Sequence, residues 1–312
     1  MELRQLKYFA RIVDLGSITR ASQSLHVAQP ALSLQVSKLE EELGVQLLTR
    51  SVRGVIATEA GAAVYRHAQA ILRQIDATQL IAAQADGGPA GPVTIGLPWT
   101  VTAVIGLALL KEVTTTLPSV RLEVVEGPSS VLAQMLAEGK LDLAVVFDNM
   151  IDGGLLMKPV VYEPLLFVGA YQSLAGLRDC TLADAVQKPW LMLSRPNGIR
   201  EAIERVLAEQ DLKSRVVAEI NAPRLLIEAV VAGIGFSILP SCAMDEHLRT
   251  GKLDAIPLEG GSLGRTVYLS NSRVFAQTRA SEYVYVIVER LMREAVREGR
   301  WNAKWIGMDG TS

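Results

Sequence analysis

The sequence predicts a small, mainly helical N-terminal domain with a helix-turn-helix, followed by a larger α/β domain of two lobes. Three observations predict this fold class. Short helical patterns fill the first 58 residues, breaker residues crowd the segment 86–92, and strand and helix patterns alternate beyond it. Such alternation is typical of a mostly parallel sheet that is covered by helices.

Composition and charge set the broad class. The chain has 312 residues, of which 49% are hydrophobic and 21% charged, with a formal net charge of -2, so any contact with nucleic acid must come from a local basic surface. Cys180 and Cys242 are isolated, which favours a reducing compartment. The longest apolar run, 101–110, is too short to span a bilayer, and the N-terminus does not resemble a signal peptide. We expect a cytoplasmic protein that does not contact membranes.

The first 58 residues predict a winged helix-turn-helix. A helical pattern ends at Gly16, Ser17 can cap a second helix, and Pro30 opens a third that buries one apolar face. A β-hairpin with basic residues near its tip follows at about 45–57, as the wing. The outward face of the third helix and nearby basic side chains are the predicted DNA contacts: Arg4, Arg20, Gln29, Pro30, Ser33, Leu34, Gln35, Ser37, Lys38, Arg50 and Arg53.

Individual side chains on this face suggest different contacts. Gln35 suits an adenine edge and Lys38 a phosphate. Leu34 is apolar where polar contacts are expected, so it either meets a thymine methyl or widens the packed stripe. For each polar residue, the alternative is an ordinary solvated surface.

A long helical pattern at 59–85 carries apolar residues at near-heptad spacing. It could pack on its own domain or pair two subunits, and its length favours pairing. The predicted dimerisation residues are Val64, Ala68, Ile71, Leu72 and Ile75.

The predicted domain organisation has five parts. The DNA-binding domain covers 1–58, the dimerisation helix 59–86, the hinge 87–92, the two-lobed domain 93–300 and a C-terminal tail 301–312. Lobe I covers about 93–163 and 267–300, and lobe II about 164–266.

A resemblance to a known family rests on an unbroken run of residues. Ala21, Leu25, Gln29-Pro30-Ala31-Leu32-Ser33, Leu39-Glu40, Leu43-Gly44, Leu47-Leu48, Arg50 and Thr58-Glu59-Ala60-Gly61 stand in register over some sixty residues. The N-terminal part thus closely resembles the winged helix-turn-helix of LysR-type transcriptional regulators. The resemblance implies a homodimer that assembles to a homotetramer on an inverted-repeat promoter site of double-stranded DNA, with RNA polymerase as a further candidate partner.

The resemblance also implies that residues 93–300 form an effector-binding domain of the type 2 periplasmic-binding-protein fold. Ligands of such sheets bind beyond the C-terminal strand ends, near helix N-termini. That rule selects Trp99, Thr100, Val101, Ser129, Phe147, Ser194, Arg195, Asn197 and Arg200 as predicted effector contacts. Arg195 or Arg200 would attract an anionic effector such as a carboxylate. The alternative is that the hydroxyl groups only cap helices.

Two other classes of protein compete with a regulator. An enzyme or a free-standing solute-binding protein could use the C-terminal cleft. The three histidines are scattered, and neither a catalytic motif nor a metal-ligand spacing occurs, so we predict no enzyme, no cofactor and no metal. A gel-shift assay separates the three classes.

Overall fold

The computed structural model describes residues 1–51, 54–83, 88–147, 154–177, 180–258, 263–275 and 277–307. The contacts divide the chain into two compact units. Unit 1 contains residues 1–92 together with 138–140, and unit 2 contains residues 93–137 and 141–312. Among the described residues, no helix combines the length and the apolar character needed to cross a membrane.

Unit 1 opens with three helices, α1 (Leu3–Leu15), α2 (Ile18–Leu25) and α3 (Gln29–Leu43). Their ends follow local chemistry. Gly16 and Gly44 adopt the left-handed conformation after α1 and α3, and the Ser17 side chain accepts from the Arg20 N–H at the start of α2. The helices enclose one apolar core, formed by Leu6, Phe9, Ile12, Ala21, Leu32, Val36, Leu39, Leu47 and Ala68.

The wing is an antiparallel hairpin of β1 (Leu48–Ser51) and β2 (Gly54–Ala57). It is attached to the end of α1, because the Val55 N–H donates to the Gly16 carbonyl over 2.9 Å. A Cβ on Gly54 would lie 2.4 Å from the Gly16 carbonyl oxygen, so this close approach requires glycine. On the other strand, the Glu40 carboxylate accepts from the Leu48 N–H over 3.0 Å, which fixes the hairpin to α3.

The long helix α4 (Glu59–Ala83) completes unit 1. Thr58 caps it, since its hydroxyl accepts from the Gly61 N–H over 2.9 Å. The predicted helix therefore exists over nearly the predicted length.

Lobe I of unit 2 is built on a six-stranded sheet in the order β13-β6-β12-β5-β3-β4. The strands are β3 (Gly91–Leu97), β4 (Val120–Glu126), β5 (Leu143–Phe147), β6 (Leu155–Pro164), β12 (Gly264–Ser272) and β13 (Lys304–Trp305). Its helices are α5 (Trp99–Val101), a π-helical stretch (Thr102–Gly106) running into α6 (Leu107–Thr116), α7 (Ser129–Ala137) and α12 (Arg279–Arg297).

Lobe II contains two small sheets. In one, β7 (Leu166–Ala170) lies between β10 (Ser237–Leu239) and β11 (Leu253–Pro257); in the other, β8 (Pro189–Leu193) pairs with β9 (Arg215–Ile220). Around them lie α8 (Leu182–Ala185), α9 (Gly198–Glu209), α10 (Pro223–Val231), a 3₁₀ turn (Ser241–Ala243) and α11 (Asp245–Arg249).

Two sequence expectations are wrong in unit 2. β3 with β5 and β8 with β9 are parallel, but β12 pairs antiparallel with β5 and β6, β13 with β6, and β7 with β10 and β11, so the sheets are not mostly parallel. The reason is that β6 and β12, where the chain passes between the lobes, run back along the sheet. The predicted C-terminal tail also begins inside the fold: Trp301 is buried, and β13 pairs with β6. Residues 308–312 lie outside the described residues.

Candidate DNA-binding face and ligand cleft

The outer face of α3 is open to solvent. Leu32, Val36 and Leu39 are buried on its inner face. Most of the predicted contacts lie on the opposite side, with Gln29, Pro30, Leu34, Ser37 and Lys38 exposed and Ser33 and Gln35 half-buried. The helix thus presents amide, hydroxyl, ammonium and one apolar group on a surface that its own domain leaves uncovered.

The predicted basic contacts are only partly described. Arg4 is exposed and paired with Glu2 at 3.5 Å, and Arg20 is exposed and donates to the Leu15 carbonyl. The side chain of Arg50 and the whole of Arg53 lie outside the described residues. Sequence reasoning missed Arg11, which donates to the Ser24 hydroxyl over 2.7 Å and adds a cation beside α2.

The predicted dimerisation residues of α4 separate into two groups. Ala68 is buried and Val64 half-buried in the core of their own domain. Ile71, 40% exposed, and the half-buried Leu72 and Ile75 are not in that core. Tyr65 fastens the first half of α4 to α1 by donating to Asp14. Burial, and then this carboxylate, raise the pKa of Tyr65 to about 12.

A cavity of about 380 Å³ opens where strand ends of lobe I and lobe II face each other. Its size falls within the range of small-molecule sites. Of the predicted effector contacts, it brings together Trp99, Ser194, Arg195 and Asn197. The other lining residues are Glu126, Gly127, Pro128, Leu193, Pro196, Asn221 and Pro223.

Sequence reasoning missed Glu126 and Asn221 as cleft residues. Both obey the strand-end rule, because Glu126 ends β4 and Asn221 follows β9 directly. Their position at strand ends is the sequence signal that identifies them.

Thr100, Val101, Ser129 and Phe147 are buried and do not line the cavity. The Ser129 hydroxyl accepts from the Phe147 N–H over 2.8 Å, and the Thr100 hydroxyl accepts from Arg265 Nη2 over 3.0 Å. The Arg265 guanidinium lies 3.4 Å from the centre of the Phe147 ring. These predicted ligand contacts instead form a layer that supports the cleft.

The supporting layer ends in a buried ion pair. Arg265 and Glu163 are 2% and 1% exposed, and Arg265 Nη2 lies 2.6 Å from Glu163 Oε2. Trp301 Nε1 and Cys242 Sγ donate to the other carboxylate oxygen over 2.6 and 3.1 Å. Burial, and then the neighbouring carboxylate, raise the pKa of Cys242 well above its usual value, so its sulfur remains a thiol donor.

Arg200 also lies away from the cavity. It donates from Nε to Glu204 over 2.8 Å, from Nη2 to Glu219 over 2.9 Å and from Nη1 to the Leu193 carbonyl over 3.2 Å. The Glu219 hydrogen bond is the main reason that the pKa of Arg200 is raised. Its donors therefore join α9 to β8 and β9 and do not reach into the cleft.

The two units together define a class of protein. An exposed helix-turn-helix with a wing is joined to a two-lobed α/β domain that has a cavity between its lobes, which is the organisation of a ligand-responsive DNA-binding regulator. Residues 3–62 match the family described as bacterial regulatory helix-turn-helix protein, lysR family, and residues 86–290 match the LysR substrate binding domain. The chain therefore belongs to the LysR family of transcriptional regulators.

Similar proteins agree with this assignment. The nitrogen assimilation regulatory protein nac of Klebsiella aerogenes is 38% identical over 245 residues, which cover 78% of this chain and 79% of that protein. In fold, the chain is similar to a full-length variant of OxyR from Pseudomonas aeruginosa, with a TM-score of 0.72, 23% identity and coverage of 94% and 95% of the two chains. It is also similar to full-length CbnR in complex with its target DNA, with a TM-score of 0.60, 23% identity and coverage of 93% and 99%. The predicted fold class is thus confirmed.

Proposed function

We propose that the chain acts in the cytoplasm as a homo-oligomer that reads promoter DNA with α3 and binds a small molecule in the cleft between its lobes. The observation that carries this proposal is the uncovered polar face of α3 beside a wing that is hydrogen-bonded to the same domain. The chain acts on transcription and not as an enzyme.

The DNA contacts divide by chemistry. Gln29, Ser33 and Gln35 can hydrogen-bond to base edges when α3 lies in the major groove. The cationic side chains contact phosphates and position the domain without reading sequence. They are Arg4, Arg20, Lys38, Arg50 and Arg53. Placement of these cations on the side of the domain that faces DNA would allow a chain of net charge -2 to bind a polyanion.

Pairing of two chains would place two α3 helices on an inverted repeat. Ile71, Leu72 and Ile75 supply the apolar surface of α4 that the domain core leaves unused, so they are the proposed dimer contacts. Further association to a tetramer, and contact with RNA polymerase, complete the proposed assembly.

The cleft can influence the rest of the chain through its supporting layer. Trp99 lines the cavity, and the adjacent Thr100 is hydrogen-bonded to Arg265 at the start of β12. A ligand that contacts Trp99 and moves its segment would therefore change the conformation of the strands that connect the lobes. Coupling of this kind is reciprocal, so a ligand that changes DNA affinity must itself bind differently when DNA is present.

Fluorescence anisotropy with the DNA upstream of the gene tests the DNA-binding role. We expect a complex that weakens steeply with salt, since each phosphate contact releases counterions. Lys38→Gln should weaken binding to all sequences about equally and reduce the slope of log affinity against log salt by about 1.

The matched control is Lys213→Gln, which removes an exposed lysine of lobe II and should leave the slope unchanged. A wild-type chain that binds no promoter fragment even at low salt, or equal slopes for Lys38→Gln and the wild type, would refute the assignment of this face.

A further inference from the structure

The charged groups that line the cleft do not favour an anion. Among the described residues that line the cavity, two are charged, Glu126 and Arg195. Arg195 is already paired, because its Nη2 lies 2.5 Å from Glu204 Oε2. Glu126 is exposed, and no hydrogen bond or ion pair joins it to another of the described residues. The described lining of the cleft therefore carries one unneutralised negative charge.

In lobe II, the amides at the start of α9 and the guanidinium of Arg200, which could hold an anion, are already used. The Asn197 side chain accepts from the first amides of α9, those of Ile199 and Arg200, over 2.9 and 3.4 Å. The guanidinium of Arg200 is occupied by two carboxylates and a carbonyl, as described above. Helix α10 begins with Pro223, which removes one N–H group from that helix start.

The groups that remain suit an organic cation. The Glu126 carboxylate accepts N–H donors, and the half-buried ring of Trp99 lines the same cavity and can face a cation. The Asn221 and Ser194 side chains add neutral hydrogen-bonding capacity at the lobe II edge. A carboxylate and an indole in one cavity are the elements that recognise an ammonium group.

We propose that the cleft ligand is a small organic cation, a protonated amine on an apolar or aromatic skeleton, with Glu126 and Trp99 as the residues that select it. This inference rests on the proposed function, because it names the ligand of the same cleft. It replaces the carboxylate that Arg195 and Arg200 suggested from the sequence.

Calorimetric titration of the full chain with three probes of one skeleton tests the proposal: benzylammonium, benzyl alcohol and benzoate. We expect benzylammonium to bind most tightly and benzoate most weakly. Glu126→Gln should weaken benzylammonium binding about three- to fivefold, as expected for a solvent-facing ion pair, and leave benzyl alcohol binding unchanged. The readout is the ratio of the dissociation constants of benzylammonium and benzyl alcohol, because a general loosening of the cavity would weaken the binding of both probes and leave the ratio unchanged.

Glu123→Gln is the matched control, since it removes an exposed carboxylate of the same strand that does not line the cavity. Tighter binding of benzoate than of benzylammonium, or an unchanged ratio in Glu126→Gln, would overturn the proposal. Absence of binding by all three probes would overturn it together with the cleft as a ligand site. Failure of the DNA-binding role would appear separately, in the anisotropy assay, with the probe affinities intact.

Discussion

The buried pair Glu163–Arg265 lies where the chain passes between the lobes. Glu163 is next to the last residue of β6, and Arg265 is the second residue of β12. Each charge is removed from water, and the attraction and hydrogen bonds between the two groups offset that cost only while both partners are present. The pair thus joins the two connecting strands to Thr100 of α5 and to Trp301.

Removal of one partner should be strongly destabilising. Glu163→Gln leaves the Arg265 charge buried without its counter-ion, so we expect the free energy of unfolding to fall by about 3–5 kcal/mol. Urea unfolding followed by tryptophan fluorescence measures this change. The double variant Glu163→Leu with Arg265→Met serves as control and should recover a large part of the loss. A single variant within about 1 kcal/mol of wild type would show that water reaches the pair.

A separate prediction concerns the contact of Leu34 with DNA. It is 54% exposed on the outer face of α3, which excludes the interpretation that it only widens the packed stripe. If it contacts a thymine methyl, deoxyuridine at that base should weaken binding about fourfold, the value of one buried methyl group at ~0.8 kcal/mol.

A thymine-to-deoxyuridine scan of the bound site, measured with wild type and Leu34→Ala, checks this contact. With Leu34→Ala, deoxyuridine at one base should no longer weaken binding, whereas its effect at the other bases should be unchanged. That difference is the pairwise coupling between Leu34 and one thymine methyl. Identical scans for the two proteins would remove Leu34 from the reading face.

For single residues, the sequence predicts which side chains are exposed better than it predicts which side chains form ion pairs. The exposed residues of α3 follow from helical periodicity alone. Arg200 could not be placed, because one of its carboxylate partners, Glu219, lies on β9 and meets it only after folding. Glu163 and Arg265 are 102 positions apart, so no local pattern links them.

Among the elements, α4 serves two purposes along its length. Its first half completes the core of unit 1 through Val64 and Ala68, and its next turns carry apolar side chains outside that core. A helix of 25 residues is long for a globular domain and suits a second role in pairing.

Ile71→Glu should therefore prevent pairing without unfolding unit 1. We expect a shift from dimer or larger species to monomer in light scattering, and weaker promoter binding, because two half-sites are no longer held together. Val274→Glu is the control, since Val274 is an equally apolar residue of unit 2 and is 56% exposed. An unchanged mass for Ile71→Glu would assign pairing to another surface.

The helices of unit 1 were predictable because their signals are local. Ser17, Pro30 and the glycines after α1 and α3 act within one turn of the chain. The order and direction of the strands in unit 2 were not predictable, because they depend on pairings across more than a hundred residues, such as β6 with β12. The burial of Trp301 in the core was not predictable for the same reason.

At the scale of the whole molecule, the family and the two-unit architecture followed from the sequence, whereas the charge of the cleft did not. The cleft's net charge depends on which arginines are already paired, and that is decided by tertiary contacts. Regulation by a ligand in this cleft requires that α3 reads duplex DNA in a paired chain.

Hydroxyl-radical footprinting on the DNA upstream of the gene tests whether paired chains read duplex DNA with α3. We predict two protected half-sites whose centres lie one helical turn, about 10 base pairs, or a multiple of it apart. A Gln29→Ala/Ser33→Ala variant that still pairs should lose both protections. Absence of protection with the wild-type chain, or the same footprint with this variant, would show that α3 does not read the DNA.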